Sequence, residues 1–357
     1  MSVSAPGATT HRPRPRELAD HTTPLIPNCW YVAALSTEVT RIPVARTILG
    51  TSVLLFRRGD GHAIALQNRC PHRSFPLDRG RLDGDTIVCG YHGITFASDG
   101  SCVRIPSQST IPSTVCLHAF PLIERGPFLW IWPGDGEPAP LPDIPWLDGG
   151  WTSVEGYFHV ASNYVALHEN VLDLTHASYL HGTDAATLKF AEIEPAVRVD
   201  GDVVTVTRIE HESALPPHRQ AVLGADVRVD REAVSIFLTP GVHAAHSNYF
   251  PAGAGPATTP LSRFEILHLF TPENAMTTHY FWANARDTDL DNVELSDVMR
   301  KRSLKVYGED VEGLGWVDDL RRSEVRSGVR EISVAGDRAG LQMRHVLMNI
   351  AARERNP

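Results

Sequence analysis

Apolar residues in the first third of the chain come in short bursts separated by polar and turn-forming positions. Bursts at 46–49, 52–57, 63–67, 86–89, 94–97 and 128–132 contain many β-branched and aromatic residues, with Asp60-Gly61 and Asp99-Gly100 as turn signals. This spacing predicts a small all-β domain. Beyond residue 150 the pattern is mixed. Strand-like runs at 203–208, 233–238, 263–270 and 277–282 share the region with helix-like spacing at 164–180, 291–312 and 335–355. An α+β chain follows: an all-β domain over 27–145, then a domain over 150–357 that combines an antiparallel sheet with helices.

The stretch 133–145 is rich in proline, which cannot donate to a β ladder, so the expected boundary falls there. Residues 1–26 are rich in Pro, Thr, Ser and Arg and lack Phe, Trp and Tyr, which predicts a flexible tail. No apolar run reaches the length of a membrane span, and the N-terminus lacks the basic-then-apolar pattern of a signal peptide. The net charge of −9 argues against a nucleic-acid surface. The five cysteines are an odd set and all precede residue 117, so a disulfide framework is not expected, a cytoplasmic location is, and thiolate chemistry belongs to the first domain.

The densest signal is Cys70-Pro-His72, sixteen intervening residues, then Cys89-Gly-Tyr-His92. Each half offers one thiolate and one imidazole beside a β run. Facing loops of this kind suit a two-iron cluster, with sulfur on the inner iron and histidine on the outer one. A structural zinc site fits less well, because zinc motifs pair Cys with Cys and His with His. Cys29, Cys102 and Cys116 lack a partner pattern and read as packing residues.

A second cluster lies at His168-Glu-Asn170-Val-Leu-Asp173-Leu-Thr-His176-Ala-Ser-Tyr-Leu-His181. On a helix Asn170, Asp173 and His176 share a face, and His181 reaches the same metal only from a helix end or bend. Two imidazoles and a carboxylate are the facial set of non-haem Fe(II). Asp173, at i−3, is better placed to hydrogen-bond His176 than to share its metal. The carboxylate is therefore sought among Glu309, Asp310 and Glu312. Asp310 falls on an apolar stripe with Met299, Val306 and Leu314, where an acid is costly unless paired or metal-bound, whereas Glu309 has Lys305 at i−4 and reads as a solvated face. Gly308, Gly313 and Gly315 weaken this helix.

In this order, these motifs resemble the Rieske non-haem iron oxygenases, in the branch of dicamba O-demethylase, vanillate O-demethylase and toluenesulfonate methyl-monooxygenase. The likeness also rests on 28–34, 129–134, 271–273 and 279–282, with Gly90 where the family has proline. It implies a Rieske [2Fe–2S] domain and a helix-grip catalytic domain. It implies cluster ligation by Cys70, His72, Cys89 and His92, and mononuclear iron ligation by His176, His181 and Asp310. It further implies that Asp173 bridges His92 of the partner subunit to His176 in a homotrimer, with Asn170 near the iron. His268 resembles a substrate-pocket histidine, and His243 is expected at the pocket in preference to His246.

The activity implied is that of the oxygenase component of a multicomponent monooxygenase. It inserts one atom of O2 into a small aromatic substrate, by O- or N-dealkylation, and is fed from NADH through a ferredoxin or flavin reductase. Gly253-Ala-Gly255 lacks the strand–helix context of a dinucleotide site, so the nicotinamide belongs to the partner. The rival readings are a ring-hydroxylating dioxygenase, which would leave two oxygen atoms in a cis-diol, and an electron carrier, which would leave His176, His181 and Asp310 unexplained.

Overall fold

The computed structural model describes residues 22–182, 186–215, 220, 227–323 and 331–355. The first lobe contains β1 (Tyr31–Leu35), β2 (Val44–Ile48), β3 (Thr51–Arg57), β4 (Ala63–Gln67), β5 (Arg81–Asp83), β6 (Thr86–Val88), β7 (Thr95–Phe96), β8 (Cys102–Arg104), β9 (Leu122–Arg125) and β10 (Phe128–Ile131). These form three small sheets, ordered β1-β10-β9, β2-β3-β4 and β5-β6-β7-β8. The second lobe is built on β11 (Thr152–Val160), β12 (Ala196–Asp200), β13 (Val203–Ala214), β14 (Arg228–Thr239), β15 (Val242–Pro251), β16 (Ser262–Pro272) and β17 (Thr278–Arg286). They make one antiparallel seven-stranded sheet, ordered β11-β17-β16-β15-β14-β13-β12.

Period-two alternation divides the sheet into two working faces. Phe237, Phe270, Tyr280 and Trp282 turn inward under the helices α1 (Tyr164–Leu172), α3 (Val293–Ser323) and α4 (Arg338–Arg355), with the short α2 (Leu188–Glu192) at one side. Val242, Leu267, Leu269 and Phe281 turn outward onto Trp30, Trp130 and Trp132 of the first lobe. Thr271 locks that junction: its hydroxyl donates to the Val32 carbonyl at 2.8 Å and accepts from the Val32 N–H at 3.2 Å. Gly241 is required there, since a Cβ would stand 2.5 Å from the Trp30 carbonyl oxygen.

Several expectations change. Only 1–21 of the expected tail lies outside the described residues. Thr23 and Ile26 are buried, and the Pro24 carbonyl accepts from Tyr164, because the apolar Ile26 side chain completes the helix-side core. The proline-rich connection is packed: Ile144 and Trp146 are buried, and Trp30 Nε1 donates to the Ala139 carbonyl at 2.6 Å. The single helix expected over 164–180 stops at Leu172. Asp173 leaves helical geometry (φ −101°, ψ 90°) and its side chain caps a 3-10 turn, Leu174–Ser178, by accepting from the Thr175 N–H. Conversely, α3 runs through Gly308, Gly313 and Gly315 to Ser323, with Gly313 seated against Leu180. Cys29 is buried, but Cys102 is half-buried and Cys116 exposed, so packing does not account for Cys116.

Candidate metal centres and catalytic cavity

The two cysteine–histidine loops are built on one plan. In the first, the Cys70 N–H donates to the Phe75 carbonyl (3.0 Å) and the Ser74 N–H to the Cys70 carbonyl (2.9 Å). In the second, Cys89 pairs with Ile94 (2.8 Å) and Gly93 with Cys89 (3.0 Å) in the same pattern. The equivalent turn residues, Ser74 and Gly93, both have positive φ, 58° and 71°. In this chain's loop a Cβ on Gly90 would lie 2.8 Å from the Arg79 carbonyl oxygen and 3.2 Å from Phe75, so the proline of the family would need the neighbouring backbone to sit farther away.

Cys70 and Cys89 point into an apolar pocket with Leu77, Ile87 and Phe96, while His72 and His92 are exposed with ring centroids 4.6 Å apart. Burial pushes the Cys70 thiol up, opposed by the His72 and Arg73 N–H groups that donate to its sulfur and reinforced by the adjoining Cys89 sulfur. Two buried sulfurs below two exposed imidazoles are the donor set of a mixed-ligand two-iron cluster.

The second centre brings three elements together. His176 comes from the 3-10 turn, His181 from the segment after it, and Asp310 from α3. His176 Nε2 lies 3.3 Å and His181 Nε2 3.2 Å from Asp310 Oδ1, and the three donor atoms lie within 4.8 Å of one another. The tautomers are fixed from behind. His176 Nδ1–H donates to the Asp173 carbonyl at 2.6 Å, and His181 Nδ1–H donates to Glu309 Oε2 at 2.9 Å. Both Nε2 atoms therefore present lone pairs to a carboxylate oxygen that is buried and has no hydrogen-bond donor. Lone pairs converging without a proton between them repel unless a cation lies among them. The chemistry of the set thus fits a divalent metal. Burial works to raise the Asp310 pKa, but positive charge in this set, as protonated imidazoles would supply, holds the carboxyl below its ordinary range. Burial works to lower His181, and Asp310 with Glu309 outweigh it and raise that imidazole.

Glu309 was missed as a site residue. Lys305 does lie 3.9 Å away, but the carboxylate also orients His181. Asp173 supplies its backbone, not its side chain, to His176; its carboxylate accepts from Thr175 and pairs with the buried Arg208 at 3.4 Å.

A cavity of about 150 Å³ opens from this centre, with His176, His181, Asp310, Phe190, Arg231 and His268 among its walls. His268 is one of these walls, held by a 2.6 Å hydrogen bond between Nδ1 and Tyr280 Oη. Burial draws its pKa down to about 4. His243 is not at the cavity. It is fully buried beneath α1, bonded to His168 at 3.2 Å and to Ser235 at 2.7 Å, because its row of the sheet lies under the helix. His246 contributes to the lining instead. Asn170 is half-buried on the last turn of α1 and does not line the cavity, since the break at Asp173 turns it away from His176.

Comparison with known proteins finds family matches over both lobes. The Rieske [2Fe-2S] domain family matches residues 29–120, and the vanillate O-demethylase oxygenase C-terminal domain family matches 160–353. The putative toluene-4-sulfonate monooxygenase system iron-sulfur subunit of Comamonas testosteroni is 34% identical, covering 80% of this chain and 86% of its own. The oxygenase component of dicamba O-demethylase from Stenotrophomonas maltophilia is 32% identical, covering 88% and 95%. The crystal structure of dicamba monooxygenase bound to dicamba superimposes with a TM-score of 0.85 at 28% identity, covering 93% of this chain and 99% of that one. The chain belongs to the Rieske non-haem iron oxygenases, in the vanillate O-demethylase oxygenase family. It is an oxidoreductase, the oxygenase component of a multicomponent monooxygenase system, and its cofactors are a [2Fe–2S] cluster and a mononuclear iron. No described helix is long and apolar enough to cross a membrane.

Proposed function

We propose that this oxygenase removes an alkyl group from oxygen or nitrogen of a small aromatic substrate. Cys70, His72, Cys89 and His92 hold the cluster, and His176, His181 and Asp310 hold the mononuclear iron. The observation that carries the reading is the convergence of two Nε2 lone pairs on the donor-less Asp310 Oδ1 at the wall of a small cavity. When bound, the iron supplies O2 activation and the cluster supplies electrons.

The protein's own groups do the rest. Asp173 and Glu309 fix the orientation of the two imidazoles. Val171, Leu174, Ile266 and Val306 keep water from the reacting carbon. The overall change balances as substrate, O2, two electrons and two protons giving hydroxylated substrate and water. A hydroxyl on the carbon attached to oxygen or nitrogen makes a hemiacetal or hemiaminal. That product splits to the free phenol or amine and an aldehyde.

The electrons come from NADH through a separate ferredoxin or flavin reductase. The chain works as a homotrimer in which the His72/His92 tip of one chain meets Asp173 of the next. Asp173 is only partly buried and opens onto a concavity of about 350 Å³, also lined by Glu169, Arg321, Asp337 and Arg344; among the described residues none of the first lobe lines it.

The test pairs metal analysis with product analysis. Iron beyond the cluster pair, one labelled oxygen atom per product and stoichiometric aldehyde are expected from an alkoxy- or N-alkyl-aromatic with a surrogate reductase. A cis-diol carrying two labelled atoms, or iron accounted for by the cluster alone, would overturn the proposal.

A further inference from the structure

Beyond the metal ligands, the catalytic cavity has an internal order set by the sheet. On the inner face, Arg231 faces Glu210 and Tyr249, Ala233 faces Ser247, Ala245 faces Ile266, and His243 faces His268. Arg231 is six residues up β14 from Phe237, which pairs with His243; this places the Arg231 backbone roughly 20 Å along the sheet from the His268 row. The floor between is small: Ala233, Ala245 and Ser247 leave the space that becomes the cavity. Its volume of about 150 Å³ matches one that accepts a single benzene ring.

Arg231 is held but not neutralised. Its Nε donates to Ser247 Oγ at 3.3 Å, and its guanidinium carbon sits 4.7 Å from the centroid of the buried Phe190 ring. Among the described residues no acceptor takes either Nη and no carboxylate pairs with it. Glu210, across the ladder, accepts from Thr187 Oγ1 at 2.5 Å and leaves its other oxygen buried and unpaired, forming no ion pair with Arg231. A planar fork with both Nη atoms unclaimed, at a cavity wall, is suited to a carboxylate or sulfonate.

The geometry points to Arg231 as the residue that selects the substrate's charge: the cavity takes a single-ring aromatic acid, its anionic group on Arg231 and its alkyl-bearing atom at the His176/His181/Asp310 end. This rests on the dealkylation reading for the second half only; the charge selection stands on binding.

The test is calorimetric binding to the holoenzyme of 4-methoxybenzoate, 4-methoxybenzenesulfonate and the neutral 4-methoxybenzamide, in wild type, R231K and R231M. The expected preference of the wild type for the anions over the amide is about 10- to 100-fold in Kd. It should shrink in R231K and collapse toward unity in R231M. The amide serves as the internal control for an intact cavity in each variant. Equal binding of anion and amide by the wild type, or a preference that survives in R231M, overturns the assignment. Aldehyde release is scored separately. Charge-selective binding without aldehyde supports the Arg231 assignment and overturns the dealkylation reading, so the failures are distinguishable.

Discussion

At the scale of single residues, the iron centre depends on two supports as well as three ligands. Asp310→Ala removes the buried oxygen on which both imidazoles converge, so the mononuclear iron should be lost while the cluster's visible spectrum persists. Retained iron and activity would show that the carboxylate ligand is another residue. Glu309→Ala should be milder: the imidazole of His181 loses its hydrogen-bonded anchor, and iron affinity should fall about 10- to 100-fold. Metal titration of the two variants separates them. Asp310 was legible in the sequence because a carboxylate on an apolar stripe demands a partner. Glu309 was not, because Lys305 one turn earlier accounts for an acid there equally well; only the side-chain direction reveals the imidazole. His243 and His268 show the same limit. They are register partners on one face, and which one meets the cavity depends on where α1 covers the sheet.

At the scale of elements, the cluster loops were readable because their chemistry is local: ligand spacing and turn residues lie within a few positions of each other. Their steric demands make a prediction. Gly90→Ala would press a methyl group to 2.8 Å from the Arg79 carbonyl, whose chain is held by the Gly80 N–H bond to Leu77. A backbone shift of the His92 loop should follow, with a loss of about 1–3 kcal/mol and reduced cluster occupancy. Absorbance per chain and the unfolding midpoint measure both; wild-type values in each would refute the close contact. Strands were missed in both lobes, β1, β5, β8 and β9 among them in the first. Strands β11, β12 and β15 went unpredicted, β15 because its inward positions are His243, Ala245 and Ser247 and carry no apolar alternation. The break at Asp173 hid inside helical spacing, since an aspartate that caps a new turn looks like any helix acid until its side chain is seen accepting from Thr175. That break lets His176 reach the Asp173 carbonyl.

At the scale of the whole molecule, buried histidines couple stability to pH. Burial draws His168 down to about 3, His279 to about 4 and His243 well below 6.5. A base with a depressed folded pKa binds its proton more readily when unfolded. Its contribution is therefore present above about pH 6.5 and is lost as pH falls toward the folded values, at about 1.4 kcal/mol per pH unit for each group. Glu265, pushed up to about 7 by burial, and Glu354, also raised by burial, work in the opposite sense, but His268, drawn down to about 4, and His246, also lowered, add to the histidine side. The unfolding midpoint should thus drop between pH 6.5 and 5; a flat or rising profile would contradict the burial. The trimer proposal gives the final test. His72 and His92 are exposed, and among the described residues the concavity beside Asp173 is lined by none from the first lobe of its own chain, which favours completion of the pathway by a neighbour. Cys89→Ser chains lacking the cluster and Asp310→Ala chains lacking the mononuclear iron should each be inactive alone. In a directional ring of three, every mixed trimer contains one junction between an intact cluster and an intact iron site. Equal co-expression should then restore about a quarter of the wild-type activity per chain. If the working pair lay within one chain, no mixture could recover activity, because every chain would lack one centre.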